Sequence, residues 1–110
     1  MADAVEFPFR SSVIWLTPEQ GGRETGPPVP RPAWPYYAAT AYVPPRTADT
    51  GLASFILRNF DTGAWRSCGE GRWLVADAQN DQMVWPGSVI AVTEGPRVVA
   101  YFTVQHVADS

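Results

Sequence analysis

The chain contains no lysine, one cysteine and one histidine, and these shortages exclude several common chemistries. Without lysine it cannot build a phosphate-binding P-loop, a Schiff base or a pyridoxal site. Cys68 has no second cysteine with which to form a disulfide or a thiolate zinc site. We therefore expect no nucleotide, no metal and no other cofactor, and we predict that Cys68 is an inert, packed thiol.

Long apolar runs are also absent. No stretch of about 20 apolar residues is present, which is the length that a membrane-spanning helix needs. The first ten residues are acidic where a signal peptide requires a basic region, and they lack its apolar core. These features predict a soluble, cytoplasmic protein without a membrane partner.

All eight basic residues are arginines, and the formal net charge is −3. A protein that binds nucleic acid mainly through phosphates usually presents a broad basic surface. With this charge balance, any contact with RNA is expected to be local. The 45% apolar and 17% charged content is typical of a globular protein. A length of 110 residues predicts one domain over residues 1–110, with a flexible leader over about residues 1–8.

Six segments have the β-branched and aromatic content of strands, with connections rich in glycine and proline between them. The predicted strands are Phe9–Thr17, Trp34–Val43, Leu52–Leu57, Arg72–Ala78, Ser88–Thr93 and Val98–Val104. No internal repeat or convincing amphipathic helix accompanies them. The pattern predicts an all-β fold, either a sandwich or a small closed six-stranded antiparallel β-barrel, and closure would remove exposed strand edges.

The connections are rich in glycine and proline. Gly95 can adopt positive φ and Pro96 cannot donate a hydrogen bond, so both are placed in a tight loop of the last hairpin. Gly21-Gly22 predicts a second tight turn, and Asn80-Asp81 a third. The proline-rich segment 27–35 is predicted to be an extended loop. Its PxxP spacing would suit an SH3-type partner, although such a connection can equally lie over a barrel without one.

Two stretches carry a resemblance to a known family. Residues Val13–Gly26 form a strand that leads into an acidic residue, two glycines, an arginine and a threonine, and Ser88–Val107 form a hairpin that turns at Glu94-Gly95-Pro96-Arg97. Together they resemble the C-terminal, third domain of elongation factor Tu, whose last hairpin turns at Glu-Gly-Gly-Arg. Pro35-Tyr36-Tyr37 falls where that family has an aromatic strand, and Cys68-Gly69-Glu70 where it has Pro-Gly-Asp.

This resemblance covers nearly the whole chain from about Phe7 and implies a six-stranded antiparallel barrel, here as a stand-alone relative of the domain. The family's nucleotide site lies on a separate domain, so no GTPase activity is expected. The third domain in that family binds the T-stem of aminoacyl-tRNA and packs against protein partners. Carried over by position, the matching residues for that face are Thr25, Glu94 and Gly95, with Arg23 and Arg97 beside them.

Several departures from the family pattern predict that tRNA binding is weak. Thr93 stands where the family commonly has an arginine, Glu24 replaces a histidine and Pro96 replaces a glycine. Ala100 and Phe102 replace glycines that allow close approach. Loss of a positive charge and gain of side chains both act against contact with phosphates.

Each candidate site residue also has a purely structural interpretation. Arg23 and Arg97 could cap backbone carbonyls or pair with Glu19 or Glu94. Tryptophans could stack on bases, but most are expected in the core, with Trp34 and Trp65 as the exposed pair. His106 is expected to be an ordinary residue at a strand end.

The sequence therefore predicts a non-catalytic binding module for a protein or RNA partner. The alternatives are a small-ligand-binding or enzymatic barrel with a tryptophan-lined pocket, and a decoy that competes for the partners of the translation factor.

Overall fold

The structure is a computed structural model, and it describes residues 7–44, 46–47, 52–74 and 84–108. Within them lie six strands and one short 3₁₀ helix. The strands are β1 (Phe9–Trp15), β2 (Tyr36–Tyr42), β3 (Ala53–Arg58), β4 (Arg66–Trp73), β5 (Val89–Glu94) and β6 (Arg97–Val107), and the 3₁₀ helix spans Pro18–Gln20. The described residues contain no helix that is long and apolar enough to cross a membrane.

The six strands form a closed antiparallel barrel in the order β1-β4-β3-β2-β5-β6, which confirms the predicted fold class. The ring closes because β1 pairs with both β4 and β6. On the opposite side β2 pairs with β3 and with β5. Closure leaves every strand with two neighbours, so no strand presents an open edge.

The barrel interior is filled largely by aromatic rings. Phe55 lies at its centre, with Phe102 5.5 Å and Trp73 4.9 Å away between ring centroids. A Cβ atom at Gly71 would lie only 2.6 Å from Cζ of Phe55, and one at Gly69 would lie 3.3 Å from Cβ of Phe60. Gly71 therefore makes room for the rings of Phe55 and Phe102, and Gly69 allows close approach of the chain at Phe60.

This packing corrects the predicted strand over Arg72–Ala78. The observed β4 begins at Arg66, and only Arg72 and Trp73 of the predicted range belong to it. The prediction was wrong because the glycines of residues 66–71 resemble a loop in sequence. Residues 75–78 and the predicted Asn80-Asp81 turn lie outside the described residues.

The two ends of the described chain are held near each other. Of the predicted flexible leader, the structure describes Phe7 and Pro8. The Phe7 ring lies parallel to that of Tyr36, with centroids 5.9 Å apart, and the Arg58 guanidinium carbon lies 3.9 Å from the Phe7 centroid. Ala108 donates its backbone N–H to the carbonyl of Pro8 at 2.8 Å.

Candidate functional site

The last hairpin turns where the sequence predicts. Glu94 and Arg97 pair at the ends of β5 and β6, so Gly95 and Pro96 form a two-residue loop. Gly95 has φ 61° at the first loop position, a feature of the type II′ turns that suit the twist of a hairpin. The turn holds Glu94 and Arg97 at the same end of the barrel.

The Gly21-Gly22 connection brings a second arginine to this end. Thr17 and Gln20 form a reciprocal capping box around the 3₁₀ helix, and Gly21 ends the helix with φ 90°. Gly22 is then so close to the preceding strand end that a Cβ atom would lie 2.1 Å from the carbonyl oxygen of Leu16. Only glycine fits there, and Arg23 follows in a fixed position.

Arg23 connects several of the residues that the resemblance selects. Its Nη1 donates to Oε2 of Glu94 at 2.5 Å, and its Nε donates to the carbonyl of Gly26 at 2.8 Å. A longer contact of 3.4 Å joins its Nη2 to the hydroxyl of Thr25, which is exposed. The hydrogen bonds of the Arg23 guanidinium are therefore made to groups of the same chain.

Tyr37 completes this cluster, and the sequence analysis missed it. Its hydroxyl donates to the same Oε2 of Glu94, and its ring meets the buried Trp15 edge-on with centroids 5.2 Å apart. Burial is the main cause that raises the pKa of Tyr37 well above its ordinary value, and the Glu94 carboxylate adds to this effect. Arg23 opposes both. Tyr37 is thus a neutral hydrogen-bond donor.

Arg97 joins the two turns more loosely. It is exposed, and its Nη1 donates to the carbonyl of Gly22 at 3.3 Å. Both arginines make contacts of the kind that the structural interpretation names, because Arg23 pairs with Glu94 and donates to a carbonyl while Arg97 donates to another. The structure thus brings Arg23, Thr25, Glu94, Gly95 and Arg97 to one end of the barrel.

Two open grooves meet at Arg23 and Tyr37, which line both. One, of about 600 Å³, is named the turn groove, and its lining includes Thr40, Thr93, Glu94 and Gly95. The other, of about 390 Å³, is named the proline groove. It is lined by Arg23, Pro28, Val29, Pro30, Arg31, Trp34, Tyr36 and Tyr37.

The proline-rich segment that forms one wall is not extended throughout. Trp34 donates its backbone N–H to the carbonyl of Arg31 at 3.0 Å, which closes a turn over Pro32 and Ala33. Trp34 is 51% exposed and Val29 71% exposed. The segment therefore presents apolar surface outward beside the groove.

The tryptophans divide as expected, with one addition. Trp15 and Trp73 are buried in the core, whereas Trp34 and Trp65 are exposed as predicted. Trp85 is also exposed, at 61%, which the sequence analysis did not anticipate. A Cβ atom at Gly26 would contact the Trp65 ring at 3.6 Å, so Trp65 lies against the loop that follows Arg23.

Cys68 and His106 both lie on the outside of the barrel. The prediction of a packed thiol was wrong, because Cys68 is exposed on β4, where the inward positions belong to Gly69 and Gly71. His106 is exposed near the end of β6, as predicted. No group of three or more His, Cys, Asp or Glu side chains in the described ranges could hold a metal ion.

A second polar cluster crosses the outer face of β1, β4 and β3. Arg58 donates to Oε1 of Glu70 at 2.8 Å, Asn59 donates to the same oxygen at 2.9 Å, and Arg10 lies 3.8 Å from Oε2. The hydrogen bond from Arg58 is the main reason that the pKa of Glu70 lies below its usual value. The cross-strand pairs Arg58↔Glu70 and Arg10↔Glu70 account for the cluster as part of the sheet.

No protein-family model matches the chain, and no curated protein is significantly similar to it in sequence.

Proposed function

We propose that the chain is a non-catalytic module that binds a partner protein through the proline groove. The observation that carries the proposal is the exposed apolar wall of this groove, formed by Val29 and Trp34 beside a rigid barrel. Exposed tryptophan next to an open groove is typical of the central residues of protein interfaces. Arginine, here Arg31, is also enriched in such surfaces.

The polar end of the barrel supports binding rather than catalysis. In the turn groove, Arg23 and Tyr37 both donate to Glu94, so the three ionisable side chains satisfy one another. A tyrosine with a raised pKa is not a base at neutral pH. Trp34 is the only tryptophan that lines either groove, which gives less support to a tryptophan-lined ligand pocket.

RNA is the less favoured partner because the arginines near the two turns are bonded within the chain. Arg23 is committed to Glu94 and Gly26, and Arg97 donates to the Gly22 carbonyl. Phosphate contacts require guanidinium groups that can turn toward the ligand. A role of the turn residues in tRNA binding, as the resemblance to elongation factor Tu implies, therefore remains a weaker proposal.

Site-specific photo-crosslinking tests the proposal. The photoreactive amino acid p-benzoylphenylalanine replaces Val29, which is in the proline groove, or Trp85, which is exposed outside its lining. We expect irradiation of cells to yield a dominant protein adduct from position 29 and not from position 85. The adduct should disappear when Trp34→Ala is combined with the crosslinker at position 29. Equal adducts from both positions, or adducts only with RNA, would contradict the proposal.

A further inference from the structure

The aromatic wall of the proline groove has a defined geometry. The rings of Trp34 and Tyr36 stand at 71° to each other with centroids 5.1 Å apart. Tyr36 is held in place by its parallel stack with Phe7. The guanidinium of Arg58, on the neighbouring strand β3, lies over the Phe7 ring. Two rings at this angle form a notch whose walls are flat and apolar. Such a notch suits a saturated ring such as that of proline.

Backbone hydrogen bonds contribute little to recognition here. The lining also includes Pro28, Val29 and Pro30, and proline has no N–H to donate. The closed barrel offers no open strand edge in the part of the chain that the structure describes, so a ligand cannot be added as another strand. A polyproline II segment needs no such bonds, because its conformation is set before it binds.

The charge of the groove is one-sided. Among the described residues of its lining, Arg23 and Arg31 are charged and none is acidic. Arg23 forms an ion pair with Glu94, whereas Arg31 is exposed and forms no ion pair with any residue that the structure describes. A guanidinium at the rim of an apolar groove complements a carboxylate, which it can bind through two parallel hydrogen bonds.

From this geometry we infer that the ligand of the proline groove is a polyproline II segment of the partner that carries a glutamate or aspartate close to a proline. The inference rests on the proposed function and adds the class of ligand. Trp34 and Tyr36 receive the proline ring, and Arg31 selects the acidic residue.

Synthetic peptides test this assignment on the full chain. The probes are three fluorescent polyproline peptides of about ten residues that differ at two positions, which hold glutamate, glutamine or arginine. Fluorescence anisotropy at low salt should show the glutamate peptide binding about three- to fivefold more tightly than the glutamine peptide, the range of a surface ion pair. The arginine peptide should bind most weakly.

Variants with matched controls locate the site. Arg31→Gln should remove the preference for glutamate, whereas Arg66→Gln, at another exposed arginine, should keep it. Trp34→Ala should weaken the binding of all three peptides at least about tenfold, as expected of a central aromatic contact. Trp85→Ala should leave their affinities unchanged. Val29→Asp, a change at an exposed position, provides a second disruption that does not depend on an aromatic ring. Thermal unfolding of each variant checks that the barrel is intact.

The outcomes separate the ligand class from the proposed function. If no peptide binds while the crosslinker at position 29 still captures a partner protein, the ligand class is wrong and the proposed function stands. If the arginine peptide binds as tightly as the glutamate peptide, the role of Arg31 is overturned. Tighter binding of a single-stranded oligouridine probe than of the glutamate peptide would assign the rings to base stacking instead. Failure of both experiments would overturn both proposals.

Discussion

The two turns that carry the resemblance to elongation factor Tu look alike in sequence but need glycine for different reasons. At Gly95 the requirement is conformational, since φ is 61° and no atom beyond the adjacent residues lies within 4 Å of the position a Cβ would take. At Gly22 the requirement is steric, because the backbone of Leu16 occupies that position. A shared glycine signature therefore indicates a turn without saying which force maintains it.

The arginines that follow the two turns differ in the same way. The Arg23 side chain is 23% exposed and bonds Glu94 and Gly26 at distances of 2.5 and 2.8 Å. Arg97 is exposed and has one contact of 3.3 Å to Gly22. The arginine of the first turn is thus held by two short bonds in a partly buried position, whereas the arginine of the second turn is held by one long contact.

The largest expected effect separates the two glycines. Gly22→Ala should destabilise the barrel by roughly 3 kcal/mol or more, because the added methyl group meets backbone that cannot move without shifting β1. Gly95→Ala should cost only about 1–2 kcal/mol, the strain of a left-handed residue in open space. Urea unfolding monitored by tryptophan fluorescence gives both values. Equal losses of stability would show that the contact with Leu16 relaxes easily.

A smaller difference is expected between the arginines. Arg23→Ala should destabilise the barrel by about 1–2 kcal/mol, because it removes charge-assisted hydrogen bonds from a partly buried carboxylate. Arg97→Ala should change stability by less than about 0.5 kcal/mol, as is usual for an exposed side chain. Both are measured by the same urea titration. A loss at Arg97 as large as that at Arg23 would mean that the contact to Gly22 holds the two turns together.

Local chemistry explains which features were predictable. The loop at Gly95 and Pro96 follows from properties of those two residues, and the positions of five of the six strands follow from short apolar segments between breakers. The Thr17 to Gln20 capping box was also readable from its spacing, although the sequence analysis did not use it. These signals need no knowledge of distant contacts.

Features that depend on tertiary packing were not predictable. Gly71 belongs to a strand because Phe55, on β3, fills the space beside it. Tyr37 and Glu94 are 57 residues apart in sequence, and nothing near either residue indicates that they share a hydrogen bond. The five predicted site residues lie together, but the contact that orients them had to come from the structure.

The dependence of stability on alkaline pH provides the next comparison, because Tyr37, which shares Glu94 with Arg23, is a buried tyrosine. In the unfolded chain Tyr37 ionises near its ordinary pKa of about 10, whereas the folded state keeps the proton to higher pH. Its contribution to stability is therefore complete below about pH 10 and is lost as pH rises toward the raised pKa. By pH 11 the parent chain should lose about 1 kcal/mol more than Tyr37→Phe. Urea unfolding between about pH 9 and pH 11 measures the two slopes, and parallel curves would contradict the assignment.

The smallest expected effect concerns tRNA at the exposed turn. Among the described residues, Arg23 and Arg97 are the arginines seen to contact the turn residues, and Arg23 is already paired with Glu94. At most about two phosphate contacts could form, whereas a strong electrostatic binder makes about six to ten. The purified chain should therefore bind aminoacyl-tRNA no more tightly than on the order of 10⁻⁴ M at physiological salt.

Arg97→Ala should accordingly change this affinity by less than about twofold and should flatten the salt dependence by no more than about one phosphate contact. Arg66→Ala is the matched control, since Arg66 is an exposed arginine of β4 that belongs to neither turn. Filter binding over a range of salt concentrations measures both quantities. Submicromolar affinity that is lost in Arg97→Ala and kept in Arg66→Ala would show that the looser turn binds RNA. The single long contact of Arg97 with Gly22 would then be weak enough to leave this guanidinium available to an external ligand.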